Sequence, residues 1–211
     1  MTKRIIFIVF FIVLNVMQCF SQEEKMSITD ANLLRGNIIE KSKKTLTIVS
    51  GFEQFKHLDF LSNDIKSDGN LVYKSPNHIK WEYTSPFIYS VVFKNDKLFI
   101  NDDGLKSNID LSSNKTFKSL NNLIIKSVNG NMFDDKLFDM QYFKNTSNYI
   151  VKFLPKENGL KSIINEFILS FDRKSLDVVE IIMKESTEDY TLLKFLNQKI
   201  NTPVSDAVFS N

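Results

Sequence analysis

Two short runs on either side of a proline alternate apolar and polar residues at a two-residue spacing: Leu71 and Tyr73 before Pro76, then Ile79, Trp81 and Tyr83 before Pro86. That period puts all five side chains on one face of a pleated sheet and cannot make a helix stripe. Proline has no N–H for a strand ladder, so Pro76 and Pro86 mark strand ends. A segment of this kind needs partner strands beside it, and the rest of the chain supplies them. Runs rich in β-branched and aromatic residues, punctuated by Asn, Asp, Ser and Lys clusters, predict strands near 46–58, 70–75, 78–84, 87–94, 97–102, 107–111, 137–144, 148–154, 164–172, 176–185 and 189–199. Turn residues at Asn95-Asp96, Asn145 to Asn148, Asp172 to Ser175 and Ser186 to Glu188 predict an antiparallel meander.

Two segments break the period. Residues 30–44 carry Ala31, Leu34 and Ile38 at helical spacing, widened by Leu33 and Ile39, with Thr29 or Asp30 as the cap. Between Lys115 and Val128, the residues Phe117, Leu120, Leu123, Ile124 and Val128 share a helical face that Asn129-Gly130 can end. The expected fold is therefore mainly β with helices, an α+β chain whose long antiparallel sheet curls into an incomplete barrel with the helices across its open mouth. By periodicity alone, the same apolar residues read first as an ordinary packed core.

Lys3 and Arg4 precede an apolar stretch, Ile5 to Met17, that falls short of the ~20 residues a membrane span needs. Residues 1–21 read as a cleaved secretory signal, with Cys19-Phe20-Ser21 as the small-x-small site and 22–211 as a single exported domain. Cys19 also allows lipid attachment, although Gln18 ahead of it departs from the small residue such signals carry. Removing residues 1–21 deletes Lys3 and Arg4 and no acid, which leaves 25 basic and 25 acidic residues. A balanced charge argues against nucleic acid as a partner. Catalysis and metal binding have little to work with. His57 and His78 belong to no H-x-x-x-H pattern, the mature chain has no cysteine, and the acid pairs Asp102-Asp103 and Asp134-Asp135 sit beside turns, where aspartate serves the local backbone. The chain is expected to be no enzyme and to need no cofactor or metal.

Gly69-x-Leu-x-Tyr-x-x-Pro-x-x-Ile-Lys-Trp-x-Tyr-x-x-Pro86 resembles the signature of the periplasmic outer-membrane lipoprotein carrier family, LolA. Phe52-Glu53-Gln54-Phe55-Lys56 is similar to the family's F-x-Q-x-K strand, Asn95 to Ile100 to its hairpin, Phe153-Leu154-Pro155-Lys156 to a later strand, and Ile182 to Phe209 to its closing strands and tail. The resemblance implies a greasy concavity under helical lids that carries the acyl chains of lipoproteins through the periplasm. Cargo would come from an inner-membrane LolCDE-type ATP-driven transporter and pass to an outer-membrane acceptor, with the carrier acting as a monomer. On that basis Phe52, Leu71, Tyr73, Ile79, Trp81, Tyr83, Tyr89, Val91 and Ile100 are the candidate lipid-binding wall, and Leu34, Ile38, Leu120, Leu123 and Ile124 the candidate lid. Ser75 stands where many members have an arginine that holds the lid, so that role is not carried over. Alternatives from the residues alone are an outer-membrane acceptor anchored at Cys19, an envelope interaction or sensing domain, and a carrier of another amphiphile.

Overall fold

The computed structural model describes residues 23–94, 97–110, 132–185 and 188–210. Twelve strands form one antiparallel sheet: β1 (Glu24–Lys25), β2 (Thr47–His57), β3 (Ile65–Lys74), β4 (His78–Ser85), β5 (Tyr89–Lys94), β6 (Lys97–Asp102), β7 (Leu105–Asp110), β8 (Phe138–Lys144), β9 (Asn148–Pro155), β10 (Glu166–Asp172), β11 (Val178–Lys184) and β12 (Tyr190–Ile200). Helix α1 spans Ile28–Lys44, α2 is the single turn Asn158–Lys161, and a 3₁₀ turn covers Asp206–Phe209. Every expected strand is present within a few residues of its expected bounds, except that β3 begins five residues earlier, at Ile65. The two-residue β1 escapes the reading because nothing so short shows a period. The expected second helix, with Leu120, Leu123 and Ile124, and the N-terminal stretch lie outside the described residues.

The strand order is β1-β8-β9-β10-β11-β12-β2-β3-β4-β5-β6-β7. Sheet neighbours are consecutive along the chain except at two places: β1 beside β8, and the seam where β12 meets β2, with Tyr190 opposite His57 and Phe195 opposite Phe52. The sheet does not close: β7 and β1 are its two edges. Its inward face is nevertheless strongly curved. Leu98 and Ile100 of β6 share one cavity with Phe167 and Phe171 of β10, although six strands lie between them in the order.

Helix α1 closes part of the mouth. Ala31, Leu34 and Ile38 are its buried face, as the spacing predicts. Leu33 does not join them; it is 64% exposed, one position around the helix from the apolar stripe. Capping also differs from expectation. Ser27 is the N-cap, and its Oγ accepts from Asp30 N at 3.1 Å while donating to the Asp30 carboxylate at 2.9 Å. Ser27 wins because its hydroxyl reaches the third helical N–H, so Thr29 and Asp30 fall inside the first turn. At the other end, Asn201 clamps the helix to β2: its amide donates to Lys44 O at 2.9 Å, and its carbonyl accepts from Leu46 N at 2.7 Å.

Phenylalanine fills the β8–β10 end of the barrel. Phe133, Phe138 and Phe167 surround Phe153, with ring centroids 5.5, 5.7 and 6.4 Å from it. All four rings are buried. Of the four aspartates expected to serve turns, Asp134 and Asp103 do, whereas Asp102 ends β6 and Asp135 binds Arg35. Asp134 Oδ1 accepts from Lys136 N, and Asp103 sits at φ 45° in the β6–β7 turn. No helix among the described residues is long and apolar enough to cross a membrane.

Candidate functional site

Alternation puts Leu71, Trp81, Tyr83, Tyr89, Val91 and Ile100 on the concave face, and there they line a cavity of about 360 Å³. That volume is within the range of roughly 300–1,000 Å³ usual for ligand sites. The opposite wall comes from the C-terminal half: Phe167 and Phe171 of β10, Ile181 and Met183 of β11, Leu193 and Phe195 of β12. Ile38 of α1 covers it from above.

Depth separates residues that share a face. Phe52, Tyr73 and Ile79 point inward but are 1%, 2% and 0% exposed, and none of them is on the cavity wall. They belong to the packed layer, as does Leu34 of α1. Phe52 shows why. Its ring lies opposite Gly69 in the β2–β3 ladder and fills the room that glycine leaves, with Trp81 at 4.6 Å and Tyr83 edge-on at 5.3 Å. A Cβ at position 69 would stand 2.5 Å from the Phe52 ring and 2.2 Å from Glu82 O. Gly69 therefore opens the motif because an aromatic ring occupies its side-chain space. The wall residues of β10 to β12 were legible in principle, since they alternate in the predicted strands 164–172, 176–185 and 189–199. What the sequence withheld is that β12 returns to pair with β2 and turns those faces onto the same space.

Few polar groups reach the cavity. Lys41 of α1 pairs with Asp177 at 2.5 Å and donates to Ser175 O, which fastens the helix to the β10–β11 turn at the mouth. Deeper in, the Tyr83 hydroxyl donates to Gln54 Oε1 at 2.9 Å. Burial pushes the Tyr83 phenol above its ordinary value, with the Trp81 and Gln54 side chains pulling it back down. His57 is held by Asp64 at 2.8 Å and stacked on Tyr190, while His78 packs on Phe209; both are away from the cavity. Among the described residues, no group of three metal-binding side chains comes together. The geometry suits an apolar guest in a preformed hollow.

Comparison with known proteins gives this hollow a context. The family model described as outer membrane lipoprotein carrier protein LolA matches residues 43–211. The chain is 29% identical over 174 residues to an outer-membrane lipoprotein carrier protein of Francisella tularensis subsp. novicida (strain U112), covering 82% of this chain and 80% of that protein. Among solved structures, the fold is similar to the Mycobacterium tuberculosis lipoprotein LppX, with a TM-score of 0.50, 13% identity, and 83% and 98% of the two chains covered. It is also similar to a chain of the Pseudomonas aeruginosa MucA/MucB complex, with a TM-score of 0.50, 9% identity, and 86% and 61% covered.

Proposed function

This chain belongs to the LolA family of outer membrane lipoprotein carrier proteins, and from that premise we propose that it carries the acyl chains of lipoproteins from the inner to the outer membrane. The observation that supports this reading is the cavity under α1, whose wall is Leu, Ile, Val, Phe, Met, Trp and Tyr with a handful of polar side chains. Burying an acyl chain is worth ~0.8 kcal/mol per methylene, so three chains of roughly 15 methylenes oppose release into water by on the order of 35 kcal/mol. A soluble hollow offsets that cost and lets cargo cross an aqueous compartment. The carrier forms and breaks no covalent bond. It receives cargo from a LolCDE-type transporter and yields it to an outer-membrane acceptor, working in the periplasm after removal of residues 1–21. A mature N-terminus at Gln22, read by mass spectrometry of protein from the envelope, checks the processing.

The carrier reading is tested by mixing delipidated protein with a synthetic triacylated lipopeptide and with the same peptide lacking acyl chains, followed by gel filtration. Only the acylated peptide should co-elute. Ile100→Glu, a wall substitution at a half-buried position, should fold and lose at least ten-fold in loading, because an unpaired carboxylate is costly in an apolar hollow. Ile79→Glu, at a side chain with 0% exposure, serves as the contrast and should unfold the domain. Equal retention of acylated and unacylated peptide by wild type would sink the reading.

A further inference from the structure

In a wall that is otherwise greasy, nearly every polar side chain is already matched by a protein partner. Gln198 donates to Val178 O, Ser42 to Ile39 O, Thr45 to Lys41 O, and Lys41 is paired with Asp177. The half-exposed Tyr89 aside, two wall groups break that pattern. The Trp81 indole Nε1–H is buried and has no hydrogen-bond partner among the described residues. Gln54 spends its carbonyl oxygen on the Tyr83 hydroxyl, a bond that leaves its Nε2–H donors uncommitted. Trp81 itself is only 9% exposed. A buried orphan donor is uncommon in folded proteins because it forfeits its water without recovering a bond.

We infer that Trp81 Nε1–H and Gln54 Nε2–H form a donor pair that takes the carbonyl oxygen of an acyl ester or amide, so that the cavity reads the acyl linkage as well as the hydrocarbon tail. The inference rests on the lipid-carrier reading and sharpens its substrate class. Both residues line the same cavity, and Tyr83 connects them: its hydroxyl bonds Gln54, and its ring is 6.5 Å, centroid to centroid, from that of Trp81. Tyr83 is half-buried, so it is the side chain that yields when a carbonyl oxygen reaches the indole. A linkage seated there leaves its alkyl chain among Val91, Ile100, Ile181 and Phe195. An ether of the same length has no carbonyl oxygen and leaves the indole orphaned.

Monopalmitoylglycerol and 1-O-hexadecylglycerol differ at this linkage and have tails of matched length, so their binding to the delipidated protein isolates the term. Trp81 is the only tryptophan of the chain, which lets its emission report the site directly. Wild type should bind the ester more tightly than the ether by roughly 2- to 12-fold for each donor engaged. Ester binding should also shift the emission to longer wavelength relative to ether binding. Gln54→Leu keeps the reporter and should lose much of the preference by weakening the ester alone. Trp81→Phe, followed by calorimetry, should do the same. Equal affinity and equal emission for the two lipids in wild type overturn the inference while leaving an acyl carrier intact. Failure of wild type to bind either lipid or the triacylated lipopeptide overturns the carrier reading and this inference together.

Discussion

At Gly69 the absent side chain is the structural requirement. The Phe52 ring and the Glu82 carbonyl close on the space a Cβ would take, and the carbonyl belongs to backbone that cannot rotate away. Gly69→Ala should therefore destabilise the domain by about 1–3 kcal/mol, the usual range for overpacking. The expected sign is a lower urea midpoint with an unchanged slope. A midpoint equal to that of wild type would show that Phe52 can repack elsewhere. Tyrosines give a second residue-scale expectation. Burial raises Tyr73, Tyr83 and Tyr142 above the ordinary phenol value, and for Tyr142 the Arg35 guanidinium works against that rise. A phenol that holds its proton more tightly when folded leaves stability unaffected below the unfolded value of about 10. Stability then falls as pH rises from there through the folded values. Urea midpoints followed from pH 8 to 11.5 should stay level and then drop, and Tyr83→Phe should lessen the drop. A flat profile to pH 11.5 would contradict the buried phenols.

Helix α1 is held over the sheet by few bonds, and that decides how it can move. Arg35 donates to the Asp135 carboxylate at 2.8 Å and to Phe133 O at 2.6 Å, and Lys41 reaches Ser175 and Asp177. Arg35 and Asp135 are 28% and 69% exposed at their side chains, so this pair is worth no more than about 1 kcal/mol. The apolar contacts of Leu34 and Ile38 hold the helix; the ion pairs choose where it sits. Arg35→Met with Lys41→Met should leave the urea midpoint within about 2 kcal/mol of wild type. Amide exchange should accelerate in α1 and remain slow in β10, whose inward residues are buried. Equal protection of α1 in the double variant would mean that apolar packing alone fixes the lid.

Across the whole molecule, the open barrel reconciles a large apolar surface with a chain of nearly balanced charge, 27 basic and 25 acidic residues. The sheet bends until β6 and β10 line one cavity, and its apolar inward residues pack on each other or border that cavity. Packing is unequal along this interior. Phenylalanines fill the β8–β10 end, while the β2–β6 end keeps its opening beside Trp81 and Tyr83. One end thus supplies stability and the other supplies capacity. A carrier needs both, since a core packed throughout would have no room for a guest.

Strand positions, the buried stripe of α1 and the inward face of the Leu71 to Tyr83 segment were legible in the sequence because each rests on a local period, two residues for strands and three to four for the helix. The family resemblance gave candidates for the wall and the lid, and of these Leu71, Trp81, Tyr83, Tyr89, Val91 and Ile100 from the wall and Ile38 from the lid line the cavity. Period gives the face of a residue but not its depth. Only tertiary structure could sort Phe52, Tyr73, Ile79 and Leu34 into the packed layer, because their burial depends on what lies across from them. Phe167, Ile181, Leu193 and Phe195 entered the site for the same reason: β12 pairs with β2 across more than a hundred residues of chain. That the Trp81 indole finds no partner among the described residues is likewise a fact of three dimensions, since partners come from strands far apart in the chain.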